Sequence, residues 1–472
     1  MDEDPSHSDR RWFLPVLLVA TASLKLALAY KYPGFLSGDD FETVATAARC
    51  AAGLDYRPWP IRSLVHPLIL ACPPAKGARL AGLGGPRELT LAASIPTIAF
   101  STLAIWILYR LAVSLGWSRP AARVAAVLFA FHWLPLAYGA TPFPRPVSGC
   151  LLLAAFWLVA RQKAASAPGL FAAGLLAGAA FAVRWSEGVM LLPLLAYSVW
   201  RRRRVRPLAM ILCGFLVSVG LLVGLFDAIT WGRPFASLLA FARFLREPNL
   251  GGFRSGLWYG SMALQWAGPI LLLLAAAALR DRRAVPPLSI ALSFAVLLSF
   301  SPLKEMRYLQ ICIPFLALAA GLGWERLRAG AIASRTIAAA ALALCLPLGL
   351  ERTLHLLRHK SQSAIEAAAL LARVEPAARV VVLEQAWAYG EKLYLGNAVT
   401  IRDLAPQRPL SAGLVRSAAE GAAAVCLYRS DVSKDIGREL ARLDLRDCGT
   451  IRRDASPAVA VYLTANRPCP KP

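Results

Sequence analysis

The chain has 472 residues, 57% of them hydrophobic and only 17% charged, with a formal net charge of +24. Its length exceeds one ordinary domain, and its apolar share excludes an ordinary soluble protein in favour of a membrane protein. Nucleic-acid binding, the other reading of so basic a chain, is set aside because the basic runs are short and interrupted by apolar segments.

Eleven apolar runs are candidate spanning helices, near residues 12–30, 89–109, 122–140, 146–160, 168–183, 187–200, 207–228, 257–279, 285–300, 309–324 and 334–350. A helix needs about 17 to 25 residues to cross the hydrocarbon, so the shorter runs must borrow flanking residues or sit sheltered in the bundle. The first run opens after "SDRRWF" and shows no small-residue cleavage site before the acidic loop, which reads as a retained anchor. With the N-terminus cytoplasmic, the loops carrying Arg110, Arg119 and Arg123, then Arg161 and Lys163, all lie inside. So do "RRRRVR" at 201–206, "RDRR" at 280–283 and "ERLRAGAIASR" at 325–335, as the positive-inside rule requires. Much of the positive charge therefore faces an anionic leaflet.

Every alternate loop then faces outward, the long ones being 31–88 and 229–256. In the first, "LSGDDFETVATAARC" (36–50) opens a helix-prone stretch of small apolar residues, and "IRSLVHPLILACPP" (61–74) reads as a second short amphipathic segment stopped by prolines. Two such helices would lie along the membrane surface and roof the bundle. Asp39 and Asp40 stand at the N-terminal edge of the first one, where a helix tolerates negative charge. Asp39 as a simple N-cap is the bland account. A cap needs one acceptor, however, and this loop supplies two carboxylates and a third at Glu42.

From about residue 351 the pattern changes. "AARVVVLE" (378–385), "AAAVCLY" (422–428) and "AVAVYL" (458–463) are short strand-prone runs between charged, helix-prone stretches. The expected fold is an α-helical polytopic membrane protein, with a bundle over 1–350 and a small extracytoplasmic α/β domain over 351–472. The nine cysteines show no CxxC or zinc-type spacing and the five histidines form no HExxH, so neither a metal centre nor a disulfide framework is indicated.

The topology collects a set of ionisable residues at the outer boundary. They are Asp39, Asp40 and Glu42, Arg62 and His66, Arg145, Arg184 and Glu187, Asp227, and finally Lys304, Glu305 and Arg307. Ionisable groups near hydrocarbon are expensive unless paired or hydrated, so the set suggests a water-accessible cavity. For Arg145 or Glu187 alone a solvated loop is the favoured account. "SPLKEMRYLQ" carries three charges between two apolar runs, more than a turn requires: Lys304 and Arg307 offer a phosphate two cationic arms, and Glu305 orients one of them. A sugar on a polyisoprenyl phosphate suits such a face. Its tail needs lipid, its phosphate needs cations, and the acceptor hydroxyl needs a carboxylate base, worth about 10²- to 10⁴-fold in rate.

The order of motifs resembles the polyprenyl-phosphate-sugar-dependent glycosyltransferases of the GT-C superfamily, more narrowly the mannosyltransferases of GPI anchors and asparagine-linked glycans. "SGDDFE" stands at that family's acidic pair after the first membrane helix, and "RPWPIRSLVHPLILA" (57–71) is similar to its Trp turn and "RSY-hydrophobic-P" segment. "FDAITWGRPFASLLAFARF", with Asp227, Trp231, Gly232 and Phe241, "LWYGSMALQW" and "SPLKEMRYLQICIPFLAL" follow in the family's order across residues 36–320. Departures exist: Asp40 replaces a more usual Glu, Leu303 stands where the family often has His, and "YGATPFPRPVSG" lacks an acidic residue.

The resemblance implies a GT-C-like bundle of about eleven transmembrane helices and an inverting glycosyltransferase, by inference a mannosyltransferase. By it Asp39 leads as general base with Asp40 next. Lys304, Arg307 and Arg184 hold the donor phosphate, Arg62 and His66 line the acceptor side, and Glu42, Asp227 and Glu305 support. The implied partners are a polyprenyl-phosphate sugar donor, a glycan or lipid-linked acceptor and the lipid bilayer, with no cofactor, no metal and no nucleic acid. The Arg/Ala-rich composition points to a bacterial inner membrane with the site periplasmic. A lipid or glycan transporter or flippase is the alternative, and it would show internal repeats and charges near the midplane. An assembly factor whose last domain binds a partner is the third reading. It would leave the outward charges without a common cavity.

Overall fold

The computed structural model describes residues 9–56, 61–161, 167–202, 206–246, 254–301, 304–374, 380–404, 410–467 and 469. The Trp turn at 57–60, residues 203–205 of the basic run, and Pro302 and Leu303 lie outside the described residues.

Among the described residues six helices are long and apolar enough to cross a membrane: Trp12–Lys31, Pro86–Ser114, Pro207–Trp231, Arg282–Ser299, Met306–Ala329 and Ile332–Arg373. The pair Arg119–Ala130 and Trp133–Gly139, bent by 56°, makes a seventh if it is one span. The expected count of eleven is not confirmed. Arg145–Ala160 and Ala167–Val183 are apolar but only 16 and 17 residues long. The run at 187–200 opens with a 3₁₀ turn, Trp185–Met190, and that at 257–279 is cut into Trp258–Ser261, Ala263–Trp266 and Pro269–Ala277. The last cut falls where Gly268 takes φ 80° and Pro269 starts a new helix, a left-handed residue followed by one that cannot continue the old hydrogen-bond ladder.

The contacts divide the chain into two compact units. One comprises 1–28, 57–71 and 94–353; the other comprises 29–56, 72–93 and 354–472. In the first, helices Ala167–Val183 and Arg206–Val219 pack closely through glycine. A methyl on Gly174 or Gly214 would collide with the carbonyl oxygens of Ile211 and Phe171, so small residues let the backbones meet. The bend between Arg119–Ala130 and Trp133–Gly139 is held by His132, whose Nδ1 accepts from Leu134 N at 3.2 Å while Nε2 lies 2.9 Å from the Ala267 carbonyl oxygen.

The second unit contains a five-stranded sheet: β1 (Val380–Leu383), β2 (Thr400–Asp403), β3 (Ala424–Tyr428), β4 (Leu445–Ile451) and β5 (Val459–Thr464), in the order β2-β1-β3-β5-β4. β1 runs parallel to β2 and β3, and β5 antiparallel to β3 and β4. Leu383, Cys426 and Val461 pack on Ala364, Ala368 and Leu371 of helix Gln362–Val374, while Val382, Val425 and Leu427 face Val415 and Leu440 on the other side. Burial on both faces explains why β1, β3 and β5 read as unbroken apolar runs. β2 and β4, "TIRD" and "LRDCGTI", are edge strands with exposed charges, which hid them from the sequence pattern.

Two stretches of the long loop after the first apolar run, within 29–56 and 72–93, belong to this unit. Phe35 N donates to Ser361 Oγ and Ser361 N to the Phe35 carbonyl, each at 3.1 Å, and Lys360 Nζ donates to the Tyr32 carbonyl at 2.9 Å. Two sequence expectations are corrected here. Pro73 and Pro74 do not stop the second segment: Val65–Ala71 runs into Cys72–Leu80, with both prolines in the first turn of that helix, where a missing N–H is tolerated. Two disulfides are present, Cys50–Cys72 and Cys448–Cys469, whose separations of 22 and 21 residues match no compact motif and become visible only once the chain has folded.

Candidate active site

Of the acidic pair, Asp40 serves the helix start. The helix Gly38–Ala51 starts after Ser37, and Asp40 closes its first turn: Oδ2 accepts from Leu36 N at 2.8 Å, and Oδ1 accepts from Ser37 N at 2.8 Å and Ser37 Oγ at 2.9 Å. Three donors on one carboxylate make Asp40 the capping group, the part the sequence assigned to Asp39 in its bland account. Asp40 is 1% exposed, and burial pushes its carboxyl above the ordinary aspartate range against the hydrogen bond from Leu36 and the nearby Lys360 charge. Asp39, 8% exposed, is one residue earlier on the same turn, and its backbone carbonyl accepts from Thr43 Oγ1 at 3.1 Å. Glu42 is half-buried on the same helix.

The cations gather in the other unit around two rings. The Arg184 and Arg307 guanidiniums lie 5.4 and 5.3 Å from the Phe143 centroid, and those of Arg145 and Arg307 lie 4.7 and 5.8 Å from the Tyr308 centroid. Arg145 and Glu187 are not in a solvated loop, as the sequence favoured for each alone. Both side chains are fully buried and their charges are 3.0 Å apart, Nη1 to Oε1. Arg145 also donates to the Tyr308 carbonyl and Ser186 Oγ at 3.3 Å, and Ser186 Oγ donates to Glu187 Oε2 at 2.6 Å. Arg307 pairs with Glu305, Nη2 to Oε1 at 2.9 Å.

Lys304 is 7% exposed, and its ammonium donates to the Ser301 carbonyl at 2.7 Å and the Arg254 carbonyl at 3.1 Å. Arg254 returns a bond to the Lys304 carbonyl at 2.7 Å and lies 4.4 Å from the Trp258 ring centroid. Lys304 thus ties two stretches of backbone together. Sequence reasoning missed Arg254, Phe143 and Tyr308; a basic residue just before the "LWYGS" segment was the available signal for the first.

Asp227 Oδ2 accepts from Ser237 N at 2.8 Å and Ser237 Oγ at 2.6 Å. It holds the turn between Phe226–Trp231 and Ala236–Phe244, in which Gly232 and Phe235 take φ 78° and 56°. His66 is 1% exposed, with Nε2 3.5 Å from Thr97 Oγ1 and Nδ1 without a hydrogen-bond partner. Burial pushes its pKa down to about 3, so the ring is neutral. Arg62 is half-buried nearby in sequence.

A family model, the Alg9-like mannosyltransferase family, matches residues 53–395. The chain belongs to that family. The match starts just after the acidic pair and runs through the cation cluster into the C-terminal region. Membership, together with the apolar helices, makes the protein an integral membrane glycosyltransferase of GT-C type. Among curated protein sequences none matches significantly. Solved structures share the fold. ArnT from Cupriavidus metallidurans bound to undecaprenyl phosphate is similar at a TM-score of 0.66 and 17% identity, covering 97% of this chain and 99% of that one. The Archaeoglobus fulgidus oligosaccharyltransferase tethered with an acceptor peptide gives 0.55 and 12%, covering 93% of this chain and 69% of that one. The mycobacterial arabinofuranosyltransferase AftD gives 0.52 and 18%, covering 97% of this chain and 42% of that one.

Proposed function

We propose that this family member transfers a sugar, mannose by family inference, from a polyprenyl-phosphate donor to a glycan or lipid-linked acceptor on the outer face of the membrane. Asp39 takes the proton from the acceptor hydroxyl as its oxygen attacks the anomeric carbon. The bond from that carbon to the phosphate oxygen breaks, the electron pair leaves with the polyprenyl phosphate, and the configuration inverts. Arg307 and Arg184 stabilise the departing phosphate, Arg145 with Glu187 and Lys304 with Arg254 brace the backbone of the unit that carries these cations, and Asp40 braces the turn that carries Asp39. His66, neutral and buried, shapes the acceptor side, and Arg62 and Glu42 support it.

The observation that carries this reading is the arginine trio on Phe143 and Tyr308. Three guanidiniums converge there, those of Arg145 and Arg307 held by Glu187 and Glu305, a set of planar donors of the kind that binds a phosphate. The outer-face assignment is supported by the disulfides: Cys50–Cys72 lies in the first outward loop and Cys448–Cys469 in the last domain, and such bonds persist in oxidising compartments such as the bacterial periplasm.

The test offers membranes carrying the wild-type or Asp39→Asn chain a panel of radiolabelled polyprenyl-phosphate sugars. The wild type should release polyprenyl phosphate and form a labelled product, and the variant should lose about 10²- to 10⁴-fold in rate while remaining inserted. Transfer from a nucleotide sugar alone, or near-normal turnover by Asp39→Asn, would overturn the proposal.

A further inference from the structure

The C-terminal domain has no part in the roles assigned so far, yet it meets the acidic helix. Within the second unit, helix Gly38–Ala51 packs on the 3₁₀ turn Ala386–Tyr389 that follows β1. A methyl built on Gly38 would stand 4.0 Å from Cγ of Trp387. The ring of Trp387 is therefore beside the residue that precedes Asp39. Trp387 is partly buried, packed against the core that includes Ala364, Ala368 and Leu383.

The turn is held rigidly. Gln385 and Gly390, at its two ends, both take left-handed conformations, φ 59° and 70°, and Ala386 N donates to Asp403 Oδ1 at 3.2 Å. Glu384, fully buried at the end of β1, accepts from Tyr428 N at 2.9 Å and fastens β1 to β3.

Next to the turn is a cavity of about 430 Å³ lined by Ala386, Glu391, Asn397, Thr400 and Asp403 among others. Its volume is in the usual range for small-molecule sites, and beside Val399 and Ile401 its lining brings two carboxylates, the Lys392 ammonium, an amide and a hydroxyl. Burial, and then the charge of Asp403, push the Glu391 carboxyl above the ordinary glutamate value, which marks it as partly withdrawn from water. Paired acceptors and amides suit a ligand rich in hydroxyl groups, each of which donates and accepts. An aromatic face suits the C–H side of a pyranose, apolar on one face and wet at its rim.

We propose that the C-terminal domain carries the acceptor's glycan subsite: a saccharide lies in the cavity of Glu391, Asn397 and Asp403 and stacks on Trp387, which presents the next hydroxyl to Asp39. This rests on the glycosyl-transfer reading and adds to it the place in the C-terminal domain where the acceptor's saccharide is held. Trp387 is a positioning and specificity residue, and Asp39 remains the base.

The test uses the full chain in lipid nanodiscs and a panel of octyl mono- and disaccharide glycosides of mannose, glucose, galactose and N-acetylglucosamine. Binding is read by saturation-transfer NMR, and donor turnover is read separately as release of polyprenyl phosphate. At least one glycoside should bind the wild type, with Trp387→Ala weakening it tenfold or more and Trp387→Phe restoring most of the loss. Asn397→Ala, an exposed position whose change leaves the fold alone, should weaken it about threefold or more. In turnover, Trp387→Ala should raise the KM for the acceptor glycoside far more than the KM for the donor. No glycoside binding by the wild type, or equal binding by wild type, Trp387→Ala and Asn397→Ala, overturns the subsite. Loss of wild-type donor turnover with saccharide binding intact would instead sink the transferase reading and leave the subsite standing.

Discussion

Arg145 Nη1 lies 3.0 Å from Glu187 Oε1, with neither side chain exposed to solvent. A pair so placed is weak evidence for stability as a pair, but breaking one side strands a buried charge. Glu187→Gln should destabilise the protein by about 3–5 kcal/mol. Thermal unfolding in detergent checks this, and the double variant Arg145→Met with Glu187→Leu should recover most of the loss.

The two aspartates should separate by readout. Asp40→Ala removes the acceptor of three hydrogen bonds at the start of Gly38–Ala51, and the lost cap should destabilise by about 1–2 kcal/mol. Its residual turnover should exceed that of Asp39→Asn. Parallel melting and single-turnover measurements on both variants decide the matter: equal rate losses at equal stability would return Asp40 to the list of bases.

His66 makes acid stability a specific measurement. Its folded pKa, pushed down to about 3, lies below the ordinary histidine value near 6.5, so the unfolded chain binds the extra proton between those limits. Stability from this group is whole above about pH 6.5 and falls as the pH drops toward 3, by about 1.4 kcal/mol per pH unit at the steepest. His66→Gln should flatten that limb of the profile. A profile of unchanged slope would show that the ring is not buried neutral.

Lys304 and Arg307 stand three residues apart and should fail differently. Lys304→Met leaves two backbone carbonyls without their donor, about 1–3 kcal/mol for each that stays buried, so its main effect is on stability. Arg307→Gln loses a partly exposed ion pair, worth about 0–1 kcal/mol, and the guanidinium's contacts with the Phe143 and Tyr308 rings, but should raise the donor KM tenfold or more. Donor titrations alongside melting curves distinguish them.

Much of this architecture was readable beforehand because it follows from periodicity. β1, β3 and β5 are apolar runs covered on both faces, and they declared themselves. β2 and β4 are edge strands, and nothing in "TIRD" or "LRDCGTI" distinguishes an exposed strand from a loop. The span count went unconfirmed for a related reason. Apolarity marks Ala167–Val183 and the stretch around Gly268 as lipid-compatible without revealing where the helix stops. In the candidate site, residue type put Asp39, Arg184 and Arg307 forward as candidates. It could not announce which carboxylate would be consumed by its own backbone, nor that Trp387 would reach Gly38 from 349 positions away.

The bond from Phe35 to Ser361 spans 326 residues. At about 5–20 residues per second, the ribosome reaches the second partner roughly 15–65 s after the first. During that interval the carboxylate-bearing helix is already made but has no sheet to settle on. A nascent chain released before the sheet is made would carry that helix without the turn Ala386–Tyr389 on which it packs.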